Sequence, residues 1–298
     1  MRILMTGSRG FIGSALVEHF TRTGHLVSCL VRSVPNPDHA QLEWDPAAGF
    51  IPALPENLDA VIHLAGKNIA AGRWTAKEKL RIRNSRVEGT LLLCRALASL
   101  TQPPGVLVSA SAVGYYGNRR EEVLNEESSA GSGFLARVCG EWERATGAAF
   151  EKGIRVVNLR MGMVLSGRKG ALAKMLPVFR LGLGGPIGTG KQYMSWIALG
   201  DLLGVVQHCL SNTNLRGPVI AASPNPVTNC EFVRTLGKVL HRPTFMRMPS
   251  LGARIVFGEM ADEVLLASQR ADPARLKSTG YQFRFPMLEE ALRRFLVN

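Results

Sequence analysis

The feature that most constrains the fold is a glycine-rich turn near the start of the chain, "TGSRGFIG" at residues 6–13. It follows the apolar run Arg2–Thr6 and precedes a segment with apolar residues on one helical face, so it predicts a strand, a turn and a helix. Gly7 permits the tight turn, Gly10 lets backbone approach a pyrophosphate, and Gly13 lets helix and strand pack closely. The helix N-terminus then presents N–H groups to the phosphates. The expected dinucleotide-binding residues of this loop are Gly7, Ser8, Arg9, Gly10, Phe11, Ile12 and Gly13.

The first half of the chain continues with alternating strand-like and helix-like segments. Strands are predicted at 26–31, 60–64, 105–109 and 154–159, and helices at 74–100 and 134–150. This alternation predicts an α/β fold, a Rossmann-type doubly wound parallel sheet with a smaller α+β C-terminal lobe. We expect an NADP(H)-binding domain at residues 1–165, to which later strands and helices can contribute, and a substrate-side lobe at residues 166–298.

The residues after the second strand indicate which dinucleotide the loop prefers. An NAD-specific site usually has Asp or Glu there to hold the ribose 2′-hydroxyl, but this chain has Val31 and Arg32. Arg32 lies 19 residues after Gly13, where its guanidinium suits a 2′-phosphate, and Arg9 can add a second contact. We therefore expect NADP(H) in preference to NAD(H). The alternative is that Arg32 is a solvent-exposed residue at a strand end.

Composition narrows the class of protein and its setting. The five cysteines of the 298-residue chain are scattered and never in C-x-x-C spacing, which favours reduced thiols in a cytoplasmic protein and gives no metal site. No segment approaches the roughly 18 apolar residues of a membrane span. The net charge of +13 raises the alternative of a nucleic-acid partner. The basic residues are spread along a predicted helix and aromatic residues are few, so we do not expect nucleic acid as the main ligand.

Several longer stretches resemble one protein family. "TGSRGFIG", "HLAG" at 63–66 and "SASAVGYYG" at 109–117 are similar to the extended and atypical branch of the short-chain dehydrogenase/reductase superfamily. "GKNIAAGRWT", "LPVFRLGLGGPIGTGKQYMSWI" and the C-terminal tail resemble its "epimerase family protein" subfamily, also described as NAD(P)-dependent nucleotide-sugar epimerases or cell-division-inhibitor-like proteins. The resemblance spans essentially the whole chain. It implies that Leu64, Ala65 and Gly66 lie along the cofactor and that Arg86 makes a polar cofactor contact.

The same resemblance raises the question of catalysis. The usual mechanism of the superfamily needs Ser, Tyr and a Lys four residues after the Tyr, which lowers the pKa of the Tyr hydroxyl. None of the four tyrosines here is followed by Lys at that spacing, and the helix at 134–150 contains no Tyr. Leu135 and Cys139 take the two positions.

The remaining candidates cluster after the predicted strand at 105–109. Tyr115 or Tyr116 would be a relocated acid, Ser109 or Ser111 would orient the substrate, and Arg160 would supply a nearby positive charge. The expected catalytic residues are Ser111, Tyr115 and Tyr116, and Ser109 and Arg160 complete the expected cofactor-facing set.

Two functions are compatible with these patterns. One is an NADP(H)-binding oxidoreductase or epimerase-like enzyme, which takes a carbonyl, hydroxyl or nucleotide-sugar substrate in a cleft between the Rossmann domain and the C-terminal lobe. The other is a non-catalytic NADPH-binding regulator or partner-binding module. The missing Tyr–Lys pair favours the second and the retained glycine turn favours the first. The sequence is also compatible with a homodimer.

Overall fold

The computed structural model of the chain describes residues 1–32 and 40–297. The strands are β1 Arg2–Thr6, β2 Leu26–Val31, β3 Gln41–Glu43, β4 Ala60–His63, β5 Val106–Ala112, β6 Val123–Leu124, β7 Arg155–Met161, β8 Met163–Leu165, β9 Tyr193–Met194, β10 Trp196–Ala198, β11 Gly217–Ala221, β12 Val227–Thr228 and β13 Arg270–Ala271. The helices are α1 Phe11–Arg22, α2 Ala76–Ser99, α3 Phe134–Arg144, α4 Gly147–Glu151, α5 Gly170–Arg180, α6 Leu199–Ser211, α7 Asn229–Leu240, α8 Ser250–Phe257, α9 Ala274–Ser278 and α10 Leu288–Leu296.

One seven-stranded sheet organises the fold, in the order β11-β7-β5-β4-β1-β2-β3. The pairs β1–β2, β1–β4, β2–β3 and β4–β5 are parallel, and the chain passes through α1 between β1 and β2 and through α2 between β4 and β5. β1, β4 and β5 are almost wholly buried, as central strands of a sheet covered on both faces must be. The predicted α/β architecture is therefore confirmed.

The chain divides into two compact units that are not consecutive in sequence. Unit 1 contains residues 1–111, 138–159 and 206–219, and unit 2 contains residues 112–137, 160–205 and 220–298. Unit 1 thus includes residues 206–219, which come after residue 165, and unit 2 includes residues 112–137, which come before it. The physical reason is strand pairing, because β11 joins the sheet beside β7 and so brings residues 206–219 into unit 1.

The core of unit 1 lies between the sheet and its helices. Leu4, Val61 and Leu107 from the strands pack with Leu93 and Leu97 of α2, and all five are fully buried. α2 begins at Thr75, whose side chain accepts a hydrogen bond from the backbone N–H of Glu78 at 3.2 Å. Through the described chain, no helix is both long and apolar enough to cross a membrane.

The predicted helix at 134–150 is two helices, because α3 ends at Arg144 and α4 begins at Gly147. Between them, the Thr146 hydroxyl donates to the backbone carbonyl of Glu143 at 2.7 Å. Thr side chains that bond neighbouring backbone in this way compete with helix continuation.

Unit 2 has its own core and three short strand pairs. β8 pairs with β10, β9 with β12, and β6 with β13. One apolar cluster of unit 2 joins α5, α7 and α10 around the fully buried Trp196 and Phe232. α7 begins with a capping box in which Thr228 and Glu231 each accept a hydrogen bond from the other's backbone N–H.

Candidate functional site

The glycine turn between β1 and α1 has the close contacts that its glycines predict. Gly7 has a φ of +70°, and a Cβ there would lie 2.8 Å from the carbonyl carbon and oxygen of Leu64. A Cβ on Gly13 would overlap the Gly7 carbonyl group. Beyond its chain neighbours, a Cβ on Gly10 would approach only one group of the described chain, the Gly7 carbonyl oxygen at 3.1 Å. Side chains at 7 and 13 would therefore collide with backbone, whereas a Cβ at Gly10 would make one tight contact, with the Gly7 carbonyl oxygen, and would otherwise face an open side of the loop.

The first turn of α1 provides hydrogen-bond donors beside this open side. α1 begins at Phe11, and its N-cap, Gly10, has no side chain with which to cap it. The backbone N–H groups of Phe11, Ile12 and Gly13 thus have no intrahelical acceptor. The first turn carries no acidic residue, so no local carboxylate neutralises the positive end of the helix dipole. This cradle of backbone N–H groups and glycines fits a dinucleotide pyrophosphate.

Two arginines lie near the carboxyl end of β2. Arg32 directly follows Val31, and its side chain is exposed. Arg9 Nη2 donates to Gln41 Oε1 on β3 at 3.0 Å. Burial raises the pKa of the Cys29 thiol on β2, and a hydrogen bond with Ser8 and the positive charge of Arg9 oppose that rise. The glycine loop and β2 therefore bring positive charge to the strand end where dinucleotide folds receive the ribose.

A buried network of hydroxyl and imidazole groups holds the turn after β4. Thr6 and His63 are register partners in the β1–β4 ladder, and Thr6 Oγ1 lies 2.7 Å from His63 Nδ1. The same hydroxyl accepts hydrogen bonds from the backbone N–H groups of Leu64 and Ala65, each at 3.1 Å. On the other side of the ring, His63 Nε2 lies 2.9 Å from Thr90 Oγ1 on α2. Burial lowers the pKa of His63 to about 4.

Arg86 of α2 lies against the same turn. A Cβ on Gly66 would be 3.4 Å from the guanidinium carbon of Arg86. That carbon also lies 5.1 Å from the ring centroid of Trp142, and Nη1 donates to the Ile82 carbonyl at 3.1 Å. Burial lowers the pKa of Arg86, and nearby Cys139 opposes this effect. The positive charge of Arg86 thus lies beside Cys139. Cys139 is the residue predicted to take the position of the Lys in the superfamily's usual mechanism.

The two serines of β5 have different environments. Ser109 pairs in register with His63 and is fully buried, and its Oγ has no hydrogen-bond partner within residues 1–32 and 40–297. Ser111 is 1% exposed and donates a 2.6 Å hydrogen bond to Glu143 Oε1 in α3. Hydrogen bonds of this length between a hydroxyl and a carboxylate are charge-assisted and strong. The Ser111 proton therefore points at Glu143, which leaves its oxygen lone pairs to accept from another group.

The predicted Tyr115, Tyr116 and Arg160 lie together in unit 2. Both tyrosines belong to a 3-10 turn, Val113–Tyr116. The Tyr116 hydroxyl is buried, donates to the Asn125 carbonyl at 2.8 Å and accepts from Arg160 Nη1 at 2.9 Å. Because the Tyr116 hydroxyl proton is already donated to the Asn125 backbone carbonyl, this geometry does not favour Tyr116 as the acid that protonates a substrate. Tyr115 is half-buried, and the guanidinium carbon of Arg160 lies 3.5 Å from its ring centroid.

The predicted site residues therefore form two groups. Unit 1 holds the glycine loop, the turn after β4, both serines, and Arg32 and Arg86, and unit 2 holds the tyrosines and Arg160. Reasoning from the sequence missed the half-buried Glu143 and the buried Thr6, His63 and Thr90. They come from separate segments, and their contacts depend on strand register and helix packing. His63 stands in the "HLAG" stretch and Thr6 begins the "TGSRGFIG" turn, and these two stretches were the available signals.

Two protein families match this chain. The NAD dependent epimerase/dehydratase family matches residues 3–219. A domain of unknown function, DUF1731, matches residues 248–295. The first match covers the sheet, the glycine turn, both serines and Glu143, and the second lies within unit 2.

Individual relatives extend the match over the whole chain. Epimerase family protein Mb2239 of Mycobacterium bovis is 44% identical over 291 residues, covering 97% of this chain and 96% of that protein. The crystal structure of human epimerase family protein SDR39U1 (isoform 2) with NADPH has a TM-score of 0.92 and 37% identity, and covers 100% of both chains. A nucleoside-diphosphate sugar epimerase from Corynebacterium glutamicum has a TM-score of 0.79 and 35% identity, over 99% of this chain and 58% of that one. With its glycine turn, its seven-stranded sheet and these full-length matches, the chain belongs to the NAD dependent epimerase/dehydratase family, among the epimerase family proteins of the extended short-chain dehydrogenase/reductase superfamily.

Proposed function

We propose that the chain is an enzyme that binds NADP(H) in the turn between β1 and α1. The open side of the loop at Gly10 and the N–H groups that begin α1 support a pyrophosphate site. Arg32, with Arg9 as a second contact, suits the 2′-phosphate because no carboxylate occupies the end of β2. The human relative SDR39U1, whose crystal structure is with NADPH, supports the same preference.

The 2.6 Å hydrogen bond from Ser111 to Glu143 carries the catalytic part of the proposal. When bound, NADPH would supply the hydride that a carbonyl carbon gains, and NADP⁺ would accept the hydride that an alcohol carbon loses as its C–H bond breaks. In alcohol oxidation the substrate O–H bond breaks, Ser111 Oγ takes that proton, and the original Ser111 proton passes to Glu143 Oε1. Carbonyl reduction runs the same transfers in reverse, from a protonated Glu143 through Ser111 to the substrate oxygen. Ser111 and Glu143 would thus do the proton transfer for which the superfamily's usual mechanism has Tyr and Lys.

Tyr115 is the second candidate for proton transfer. Its side chain is half-buried, and the guanidinium carbon of Arg160, which carries a fixed positive charge, lies 3.5 Å from its ring centroid. Arg86, in contrast, belongs to unit 1 and lies against Gly66 and beside Cys139. We propose Arg86 as a cofactor contact together with Leu64, Ala65 and Gly66.

The proposed substrate is a compound with a hydroxyl or carbonyl group, and nucleotide-sugars are the first class to test. The name of the Corynebacterium glutamicum neighbour, a nucleoside-diphosphate sugar epimerase, motivates that choice. The test is a panel of carbonyl compounds, alcohols and nucleotide-sugars, followed by absorbance of NADPH and by product analysis for epimers. Ser111→Ala, Glu143→Gln and Tyr115→Phe assign the proton-transfer group. Ser211→Ala is the matched control, because its exposed hydroxyl donates to carbonyls of its own helix.

The alternative is a non-catalytic NADPH-binding protein, and the composition of α3 favours it. This helix carries neither Tyr nor Lys, and two of its residues, Leu135 and Cys139, take the places of that pair. NADPH binding without turnover across the whole panel, unchanged by the three substitutions, would support the regulator and overturn the enzyme.

A further inference from the structure

The network around His63 has one consistent arrangement of protons. Thr6 Oγ1 has two lone pairs, and both accept backbone hydrogen bonds, from Leu64 and Ala65. Its own proton must therefore point to His63 Nδ1, 2.7 Å away. His63 Nδ1 is an acceptor in this arrangement and carries no proton.

The opposite side of the ring leads to the same tautomer. Thr90 Oγ1 donates its proton to the Arg86 carbonyl at 2.6 Å, so in its 2.9 Å contact with His63 Nε2 the Thr90 oxygen must accept a hydrogen bond from the Nε2–H group. His63 is then the neutral Nε2–H tautomer, set by its two hydroxyl partners. A doubly protonated ring would point Nδ1–H at a Thr6 oxygen whose lone pairs are both used.

This proton chain joins three segments of the dinucleotide site. At one end, Thr6 holds the backbone of Leu64 and Ala65, and Leu64 is the group against which Gly7 packs. At the other end, Thr90 holds the α2 backbone at Arg86, whose guanidinium lies against Gly66. The glycine loop, the turn after β4 and the α2 cation are thus set by one ring.

We propose that His63, as the neutral Nε2–H tautomer, is a positioning residue for NADP(H), which holds the Leu64–Gly66 turn and Arg86 at the spacing that the cofactor needs. This inference rests on the proposed cofactor site. It concerns residues that make no contact with the cofactor themselves, because Thr6, His63 and Thr90 are all fully buried.

Substitutions can test separately the two contacts of the His63 ring, the one with Thr6 and the one with Thr90. His63→Asn places an amide oxygen near the position of Nδ1 and keeps an acceptor for Thr6, but it loses the donor to Thr90. Thr90→Val removes the link to α2 and leaves β4 unchanged, and Thr90→Ser restores it. Thr235→Val is the matched control, because Thr235 Oγ1 also donates to a helix carbonyl one turn back, at 2.8 Å, and lies towards solvent.

The measurement is the NADPH dissociation constant of the full chain by isothermal titration calorimetry, with thermal unfolding of each variant alongside. We expect His63→Asn and Thr90→Val to raise that constant by roughly tenfold or more, the loss typical of one buried polar contact. Thr90→Ser should restore it and Thr235→Val should leave it unchanged. If Thr90→Val and His63→Asn stay folded and bind NADPH as the wild type does, the positioning role is wrong.

A second measurement uses only the wild-type protein, so it does not require that the variants fold. ¹⁵N chemical shifts of the His63 ring in the wild type, at pH 7, report which nitrogen carries the proton. A protonated Nε2 and bare Nδ1 are expected, and a protonated Nδ1 would overturn the proposal. If the wild type itself fails to bind NADPH, the proposed cofactor site fails instead, and the two failures are distinguishable.

Discussion

Ser111 and Glu143 form a 2.6 Å hydrogen bond that joins the end of β5 to the last turn of α3. Because Ser111 is buried and its proton is directed at a carboxylate, the pair is arranged to move a proton. Glu143→Gln keeps the shape but cannot accept that proton. We expect kcat on any substrate found to fall by about 10²–10⁴, with the dissociation constant of NADPH unchanged within about twofold.

Ser111→Ala should cause a similar loss, and the double variant should be no worse than either single one, since the two residues act as a unit. Glu151→Gln, an exposed position on α4, is the control. A Glu143→Gln variant with full kcat would remove Glu143 from the reaction and leave Tyr115 as the acid.

Arg32 is expected to distinguish the two dinucleotides. Its exposed guanidinium at the end of β2 would pair with the 2′-phosphate, which NADH lacks. Arg32→Ala should therefore weaken NADPH binding by roughly 10- to 100-fold, the value of a charge-assisted contact, and leave NADH binding nearly unchanged. Fluorescence titration with each cofactor measures this difference. Arg22→Ala, an exposed residue in the last turn of α1, serves as the control. Equal losses for both cofactors would mean that Arg32 does not contact the 2′-phosphate.

His63 should make stability depend on pH. The ring faces the hydroxyls of Thr6 and Thr90 and the edge of Trp44. Burial lowers its pKa from 6.5 to about 4, so between these values the unfolded chain binds a proton that the folded chain does not. The contribution of neutral His63 to the free energy of unfolding is therefore complete above pH 6.5. As pH falls from 6.5 towards 4, the free energy of unfolding decreases by about 3 kcal/mol, because the unfolded chain takes up the proton.

Urea unfolding of the wild type and His63→Asn across this range isolates the effect, since other titrating groups are common to both. The wild-type curve should fall more steeply with acid. Parallel curves would show that the ring is protonated in the folded state.

Glu126 in unit 2 should oppose folding when it is charged. It is 4% exposed, its Oε1 accepts from the backbone N–H of Ile220 at 3.1 Å and of Arg275 at 3.3 Å, and its Oε2 has no partner in the described chain. Burial raises the pKa of Glu126, an effect that those bonds and the charge of Arg275 oppose. The folded chain thus holds this proton above pH 4.5, and stability falls as pH rises through the raised pKa.

Glu126→Gln should therefore be more stable than the wild type at pH 8, and the gain should disappear below about pH 4.5. Glu126→Ala should be about 2 kcal/mol less stable than Glu126→Gln at both pH values, because two buried N–H groups lose their acceptor. Thermal or urea unfolding of the wild type and both variants at pH 8 measures these differences in stability. A Gln variant less stable than the wild type there would mean that the Glu126 charge is compensated.

The sequence was sufficient for the fold because its signals are local. The glycines at 7, 10 and 13 each have a backbone reason visible in a short window, and the alternation of strands and helices sets the parallel sheet. The assignment of non-consecutive segments to each compact unit was not predictable in the same way. The division depends on β11 pairing beside β7, and nothing in residues 206–219 states which strand they will join.

In the candidate site too, the positions of residues follow from local sequence, but their partners depend on packing between distant segments. The positions of Ser109 and Ser111 follow from the end of β5, but the acceptor for Ser111 comes from a helix 32 residues later, through packing. The two adjacent tyrosines look equivalent in sequence. Only the 3-10 turn, which buries Tyr116 against Asn125 and leaves Tyr115 half-buried under Arg160, separates their roles.

The hydrogen bonds to the Thr6 hydroxyl also make the amides of Leu64 and Ala65 reporters of local opening. The amides of Leu64 and Ala65 lie just beyond the last residue of β4, where amides usually exchange with solvent deuterium quickly. Here both donate to a fully buried oxygen, so each can exchange only when the Thr6 contact opens. Their deuterium uptake therefore records how often this turn separates from β1, residue by residue and in the absence of any substrate.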